Sequence, residues 1–109
     1  MSKKKIYSKH LLRGRFYTHS DFNGGHPALL YKKSDKKNRY YVVLFTSSPG
    51  KKRIKLKHSL EPSRKKNSYV HSYPVVSKRR ELSRKPLTRL KLHKDDKPTI
   101  TLIERKNDS

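Results

Sequence analysis

Several residue types are absent from this chain or scarce in it. It has no cysteine, which excludes disulfides, zinc–thiolate sites, iron–sulfur clusters and cysteine nucleophiles. No apolar run approaches the roughly 18 residues of a membrane-spanning helix. The basic start of the chain is not followed by an apolar stretch, so the sequence predicts no secretory signal. We therefore expect an intracellular, cytoplasmic protein that does not enter a membrane.

Acidic residues are also scarce. Eight Asp and Glu stand against 30 Lys and Arg, which gives a formal net charge of +22 at pH 7. A surface with this charge repels itself and favours a polyanionic partner, of which nucleic acid is the most general. An anionic membrane would require a basic amphipathic helix, which the sequence does not indicate, and a strongly acidic protein is the other alternative. Seven tyrosines suit stacking on unpaired bases, although tyrosine is also an ordinary strand residue.

Large apolar residues are few. Leu, Ile, Val and Phe number 24 of 109 residues, about 22%, just above the level of roughly 20% below which a highly charged chain is disordered. The sequence therefore predicts one small domain with a small core. We place a flexible basic arm at residues 1–5, the folded domain at residues 6–105 and a disordered tail at residues 106–109.

The apolar residues that are present form short strand patterns. Aromatic and β-branched residues predict a core strand at residues 40–46, with further strands at 26–31, 51–58 and 68–77. Residues 23–25 (NGG) suit a tight loop with positive φ values. The C-terminal part fits either a hairpin around residues 95–98 or a short helix that Asp96 caps, with Pro98 in its first turn. Together, these elements predict a mainly β meander that forms a small barrel or sandwich with little helix.

The available side chains limit the chemistry. The eight carboxylates are dispersed and offer neither an acid–base pair nor a metal-ligand cluster. No glycine-rich phosphate motif is present, so we expect no metal and no cofactor. Metal-free RNA cleavage needs a base for the 2′-hydroxyl, donors for the phosphorane charge and an acid for the leaving 5′-oxygen, which His, Thr, Ser, Lys and Arg can supply. DNA lacks the 2′-hydroxyl, so such a site acts on RNA alone.

Two positions combine these residue types with a rigid support. His26 lies between the glycine loop and a predicted buried strand, so its imidazole can project into a cleft; a surface histidine with no role would show the same pattern. Thr46 ends the strongest strand, and hydroxyls and cations follow it, as in a phosphate pocket or in an ordinary strand-to-turn transition. Those following residues are Ser47, Ser48, Lys51, Lys52 and Arg53. The basic runs at 51–57 and 78–85 predict a surface that tracks RNA.

Three segments occur in a recognisable order: residues 24–30 (GGHPALL), residues 44–48 (LFTSS) and residues 68–82 (SYVHSYPVVSKRREL). Their order resembles that of the MazF/PemK (Kid) family of ribonuclease toxins. In that family a glycine-rich loop leads to an Arg-Pro-x-Leu-Val strand, a second strand ends in Thr-Thr or Thr-Ser, and a third precedes an Asp-Lys-x-Arg-Leu-like turn. The turn at residues 46–51 is also similar to that of ToxN-like toxins, which an RNA antitoxin restrains.

The resemblance implies a mainly β, SH3-like barrel with little helix over residues 6–105. It also implies a homodimer that cleaves single-stranded RNA without a metal. By position, Thr46 falls on the family's catalytic threonine, whereas His26 stands where the family has a catalytic arginine. Histidine is a competent acid or base near neutral pH. The departure at His26 leaves two hypotheses open: cleavage with altered roles, or RNA binding without cleavage.

We therefore predict a toxin-like endoribonuclease that leaves 2′,3′-cyclic phosphate ends on single-stranded RNA. Thr46 would stabilise the phosphate oxyanion, and His26 would act as acid or base. The RNA backbone would be bound by Ser47, Ser48, Lys51, Lys52, Arg53, Arg79 and Arg80. The expected inhibitor is an acidic antitoxin protein or an antitoxin RNA. The alternative is a non-catalytic basic RNA- or DNA-binding barrel, such as a ribosome-associated or phage accessory protein.

Overall fold

β-Strands make up most of the regular structure, as the alternation of apolar residues predicts. In the computed structural model, which describes residues 11–20, 25–61, 63 and 66–106, six strands precede one α-helix. The strands are β1 (Phe16–His19), β2 (His26–Lys33), β3 (Arg39–Thr46), β4 (Arg53–Lys55), β5 (Tyr69–His71) and β6 (Val75–Lys78). Two short 3-10 turns, Arg79–Glu81 and Lys94–Asp96, lead to α1 (Lys97–Arg105). The prediction of a mainly β fold with little helix is confirmed.

The sheet is antiparallel and is organised around β3. The strand order is β1-β2-β3-β5-β4, and β6 also pairs with β3. One edge of β3 carries β2. The other edge is shared, because the first half of β3 pairs with β6 and its last two residues, Phe45 and Thr46, pair with β5. The end of β3 therefore lies between the beginning of β2 and the beginning of β5.

The strands of the described residues do not close into a barrel. A single bridge joins His19 of β1 to Leu82, which follows β6. The backbone N–H of Leu87 donates a 2.7 Å hydrogen bond to the carbonyl of Phe16. These contacts connect β1 to the chain after β6 without the continuous ladder that closes a barrel.

Each face of the sheet packs against its own apolar cluster, because successive strand side chains point to opposite faces. Val43 and Phe45 belong to a cluster with α1, whereas Val42 and Leu44 belong to the other. The first cluster also contains Phe16, Leu29, Leu56, Leu60, Val70, Ile100 and Ile103; the second also contains Tyr17, Ala28, Leu30, Tyr40 and Leu82. Burial of both faces explains why residues 42–45 form an unbroken apolar run.

The C-terminal segment forms a helix and not the hairpin that its apolar residues also allow. Pro98 lies in the first turn of α1, where a backbone N–H would have no partner within the helix. Ile100 and Ile103, three residues apart, are buried, while Leu102 is exposed. This spacing is that of a helix with one apolar side.

Asp96 stands at the N-cap of α1, but its side chain makes no capping bond. Its carboxylate instead accepts hydrogen bonds from the backbone N–H groups of Lys57, at 2.8 Å, and His58, at 3.0 Å. Asp96 therefore joins the beginning of the helix to the chain that follows β4.

The strands differ from the sequence prediction most clearly at two segments, and β1 (Phe16–His19) was not among the predicted strands. Of residues 51–58, only Arg53–Lys55 form a strand, and residues 68–77 divide into β5 and β6. Pro74 lies at the division; it has no N–H for a strand ladder. The halves pair with different parts of β3.

Some predictions fall outside the described residues. These are the basic arm at 1–5, the first two residues of the glycine loop at 23–25, and residues 107–109 of the tail. Lys106, the first residue of the predicted tail, donates from Nζ to the carbonyl of Ser72 at 2.7 Å. Within the described part of the chain, no helix has both the length and the apolar character to span a membrane.

Candidate active site

A cleft of about 340 Å³ opens where β2 begins and β3 ends. Of the residues predicted to act on RNA, it is lined by His26, Thr46 and Ser47. Its lining also includes apolar Phe45, Leu60, Leu87 and Leu90, and polar Ser59, Glu61, Lys66, Asn67, Ser68 and Arg89. The cleft therefore joins an apolar wall, which can pack against a base, to polar groups that can bind ribose or phosphate.

The strand register explains why His26 and Thr46 line the same cleft. Ala28 of β2 pairs with Leu44 of β3, so extending this antiparallel register by two residues brings His26 level with Thr46. The same row continues into β5, because Thr46 pairs with Tyr69. Side chains in such a row lie on the same face of the sheet.

Thr46 is almost buried, with 7% of its surface exposed. Its Oγ1 accepts a 3.3 Å hydrogen bond from the backbone N–H of Ser48 in the turn after β3. A hydroxyl that accepts one hydrogen bond can still donate its own proton. Thr46 can thus shape the turn and also donate to a phosphate oxygen.

His71 is a second imidazole close to this row, although it does not itself line the cleft. It pairs with Arg53 of β4 and lies two residues from Tyr69, so it shares the face of Tyr69 and Thr46. Partial burial, the Arg53 guanidinium and the charge of His26 each lower the pKa of His71 from its usual 6.5, with burial the largest cause. His71 is therefore mainly neutral at pH 7 and able to accept a proton.

Arg53 holds the turn that follows β3. Its Nη1 donates to the carbonyl of Ser48 at 3.0 Å and to the carbonyl of Pro49 at 3.4 Å. Lys51 and Lys52 are exposed on the same turn. Their ammonium groups can reach an approaching phosphate while the guanidinium keeps the turn in place.

The cleft also contains an ion pair that joins two loops. Glu61 Oε1 accepts from Arg89 Nε at 2.7 Å, and the side chains are 16% and 66% exposed respectively. Both residues line the cleft, so the pair places a carboxylate in it. A carboxylate is a further group that can transfer protons or bind a ribose hydroxyl.

Arg79 and Arg80 lie apart from the cleft. They line a second groove, of about 800 Å³, which we call the basic groove; its other cations are Lys37, Arg39, Lys78 and Arg84. No acidic residue of the described chain lines it. Arg39 begins β3 and Thr46 ends it, so the Arg39 end of the basic groove lies roughly 24 Å from Thr46 along this strand. The two surfaces approach each other near Leu82 and Arg84, because the backbone N–H of Ser83 donates a hydrogen bond to the carbonyl of Thr18, which lines the cleft. Of the residues predicted to bind RNA, Ser47 lines the cleft and Arg79 and Arg80 line the basic groove, whereas four on the turn after β3 line neither surface: Ser48, Lys51, Lys52 and Arg53.

Among the residues that the structure describes, neither surface contains a metal-ligand cluster. Within the described residues, one group of three histidine or acidic side chains could hold a metal ion, and it comprises His58, His93 and Asp95. None of the three lines the cleft or the basic groove.

Sequence reasoning did not single out His71, Glu61 or Arg89. The sequence does contain a pattern that indicates His71. Tyr69 and His71 alternate with the buried Val70, so both lie on the opposite face of the strand from the Val70 side chain. No local pattern predicts the other two. Glu61 and Arg89 are 28 residues apart and meet only through the fold.

Comparison with protein-family models, curated proteins and solved structures gives no match for this chain. The resemblance to the MazF/PemK family therefore stays a prediction that rests on the three segments quoted for it.

Proposed function

We propose that this chain is a metal-independent endoribonuclease that cleaves single-stranded RNA in the cleft shared by His26 and Thr46. The observation that carries the proposal is that these two residues line the same cleft in a chain with a net charge of +22. The excess of cations provides affinity for the phosphate backbone. The imidazole and the hydroxyl belong to the groups that transesterification needs.

In the proposed reaction two imidazoles divide the proton transfers. His71, with its lowered pKa, takes the proton of the 2′-hydroxyl, and the 2′-oxygen attacks the adjacent phosphorus. His26 gives a proton to the 5′-oxygen as its bond to phosphorus breaks. Thr46 donates to a phosphorane oxygen, where negative charge develops. The products are a 2′,3′-cyclic phosphate and a 5′-hydroxyl.

The RNA is bound by the turn after β3. Lys51, Lys52 and Arg53 contact phosphates beside the cleavage site, and the hydroxyls of Ser47 and Ser48 contact the backbone. The basic groove, with Arg79 and Arg80, binds a more distant part of the RNA. Phosphate contacts of this kind position the strand and carry no sequence information.

The biological role that the MazF/PemK resemblance supports is that of a toxin in a toxin–antitoxin system. Its inhibitor is then an acidic antitoxin protein or an antitoxin RNA, and its assembly a homodimer. For the fold, we propose an open form of an SH3-like barrel. In this proposal, two contacts replace the continuous ladder of strand hydrogen bonds that closes a barrel. They join His19 to Leu82 and Leu87 to Phe16.

The test is cleavage of a single-stranded RNA in EDTA, with analysis of the product ends. We expect 2′,3′-cyclic phosphate ends, and no cleavage of the same sequence as DNA. His26→Ala, His71→Gln and Thr46→Val should each reduce cleavage by about 100-fold or more while RNA affinity is kept. Thr101→Val removes an exposed hydroxyl from α1 and is the matched control for Thr46→Val.

A second function is favoured by a separate observation, the lack of acidic residues around the basic groove in the described chain. A protein that only binds RNA or DNA needs such a groove and needs no catalytic cleft. Tight binding with no cyclic-phosphate products at any pH between about 5 and 9 would overturn the nuclease proposal and favour this one.

A further inference from the structure

His58, His93 and Asp95 come together outside the cleft and outside the basic groove. One ligand atom of each lies within 4.8 Å of the others. Asp95 Oδ2 is 3.0 Å from His58 Nε2 and 3.5 Å from His93 Nδ1. Two ring nitrogens thus surround one carboxylate oxygen.

We propose that this group is a binding site for a divalent transition-metal ion of the zinc class. Zinc binds histidine nitrogen and carboxylate oxygen at roughly 2.0–2.2 Å in tetrahedral geometry, which sets ligand atoms about 3.3 Å apart. Two of the three separations, 3.0 and 3.5 Å, lie on either side of this value, and the two ring nitrogens lie within 4.8 Å of each other. Imidazole ligands select zinc, cobalt, nickel and copper, whereas magnesium and calcium prefer sites made of oxygen alone.

The site is open enough to load. The three side chains are 43%, 40% and 47% exposed, so an ion can enter and a water molecule can complete four-coordination. The chain's positive charge opposes the binding of a further cation. The carboxylate of Asp95 is the one anionic ligand of the set, and the affinity should therefore depend on it strongly.

The backbone around the ligands is fixed. His58 follows β4, whereas His93 and Asp95 precede α1, so the ligands come from two distant parts of the sequence. Asp96 joins these parts, since its buried carboxylate accepts hydrogen bonds from the backbone N–H groups of Lys57 and His58. A ligand set mounted on two segments that are already joined loses less entropy when it binds an ion.

An ion that binds here replaces the proton of the 3.0 Å hydrogen bond between His58 Nε2 and Asp95 Oδ2, and binding also requires changes at both rings. The rings of His58 and His93 stack with centroids 3.6 Å apart and planes 19° apart, and two imidazoles on one ion cannot lie face to face. His93 Nδ1 also accepts a 3.1 Å hydrogen bond from the backbone N–H of Asp95, which must break if Nδ1 binds the ion. The ring protons of both histidines should therefore shift together in NMR spectra when metal is added.

The experiment is a titration of tag-free, EDTA-stripped and dialysed protein with Co²⁺ and then Zn²⁺. We expect one Co²⁺ per chain with the visible absorption bands of tetrahedral cobalt, displaced by Zn²⁺. Asp95→Asn and His93→Gln should each weaken binding by about tenfold or more. Asp35→Asn changes another exposed aspartate and should bind as the wild type does.

Thermal unfolding gives an independent readout. An ion that binds only the folded chain raises its melting temperature, by several degrees when the metal is in large excess over its dissociation constant. We expect this rise for the wild type and Asp35→Asn, and not for Asp95→Asn. Absence of Co²⁺ binding, or binding that Asp95→Asn and His93→Gln leave unchanged, would overturn the proposal.

Discussion

Asp96 Oδ1 accepts a 2.8 Å hydrogen bond from the backbone N–H of Lys57, and it does so in the protein interior. The second oxygen of the same carboxylate accepts from the backbone N–H of His58 at 3.0 Å. An isolated helix of nine residues is unstable in water. The position of α1 therefore depends on this carboxylate and on the burial of Ile100 and Ile103.

Asp96→Ala should destabilise the fold by about 2–4 kcal/mol, because two backbone N–H groups lose their acceptor. Asp96→Asn should give a smaller loss, since its amide keeps one acceptor oxygen but turns an NH₂ group towards the second donor. Urea unfolding measures both. Asp35→Ala, at an exposed aspartate, should change stability by no more than about 0.5 kcal/mol. An equally small change for Asp96→Ala would show that the helix is held in some other way.

Gly25 fixes the approach of the chain to His26. It has a φ of +69°, and a Cβ at this position would lie 2.7 Å from Thr18 Cγ2. Gly25→Ala should therefore destabilise the fold by about 1–3 kcal/mol. It should also reduce RNA cleavage by more than this loss of stability alone explains, because it displaces His26.

Gly14→Ala is the matched control for Gly25→Ala. Gly14 has a φ of +78°, but no heavy atom beyond its chain neighbours lies within 4 Å of an added Cβ. The two substitutions therefore cause similar backbone strain, but Gly14→Ala does not cause the side-chain clash that Gly25→Ala does. Unfolding in urea should show the larger loss for Gly25→Ala, and equal losses would mean that Thr18 moves away without effect.

The pKa of His71 predicts a pH dependence of stability. Burial, Arg53 and His26 lower this pKa in the folded chain below its usual 6.5, so the unfolded chain binds more protons here than the folded chain. Stability therefore rises with pH between the lowered value and 6.5, and it falls as the solution is acidified through that window. The slope of unfolding free energy against pH should be smaller for His71→Gln. Identical slopes would mean that His71 titrates normally.

Arg53→Gln should raise the pKa of His71 part of the way back towards 6.5. Arg53 is the second largest cause of the lowering and burial is the largest, so the recovery is incomplete. An NMR titration that follows the His71 ring protons measures the direction in which its pKa changes. The same variant loses the hydrogen bond from Nη1 to Ser48 and should also bind RNA less tightly. An unchanged pKa of His71 in Arg53→Gln would show that the Arg53 guanidinium does not contribute to the lowering.

The sequence predicts the fold class because apolar alternation is a local property. The predicted core strand at residues 40–46 is confirmed, since β3 spans Arg39–Thr46. The division of residues 68–77 into β5 and β6 was not predicted, although Pro74 is a local signal for it; the part of β3 with which each half pairs has no such signal. Pairing between distant segments leaves no periodic signal in one strand.

The site shows the same limit. His26 and Thr46 each had a local signal, a glycine loop before a strand and a hydroxyl at a strand end, and both line the cleft. Arg79 and Arg80 carried an equally clear charge signal, yet they line a groove at the other end of β3. A run of basic residues indicates a binding surface, but only the sheet topology decides which surface it joins.

The basic groove should control the salt dependence of RNA binding. Each cation that neutralises a phosphate of single-stranded RNA contributes about 0.7 to the slope of log affinity against log salt. Arg80→Gln combined with Arg84→Gln should therefore lower the slope by about 1.4 and weaken binding most at low salt. Turnover of bound RNA should be unchanged, because neither residue lines the cleft. Lys97→Gln with Arg105→Gln removes the same charge from α1. Equal slopes in the two double variants would show that RNA contacts the whole basic surface and not this groove.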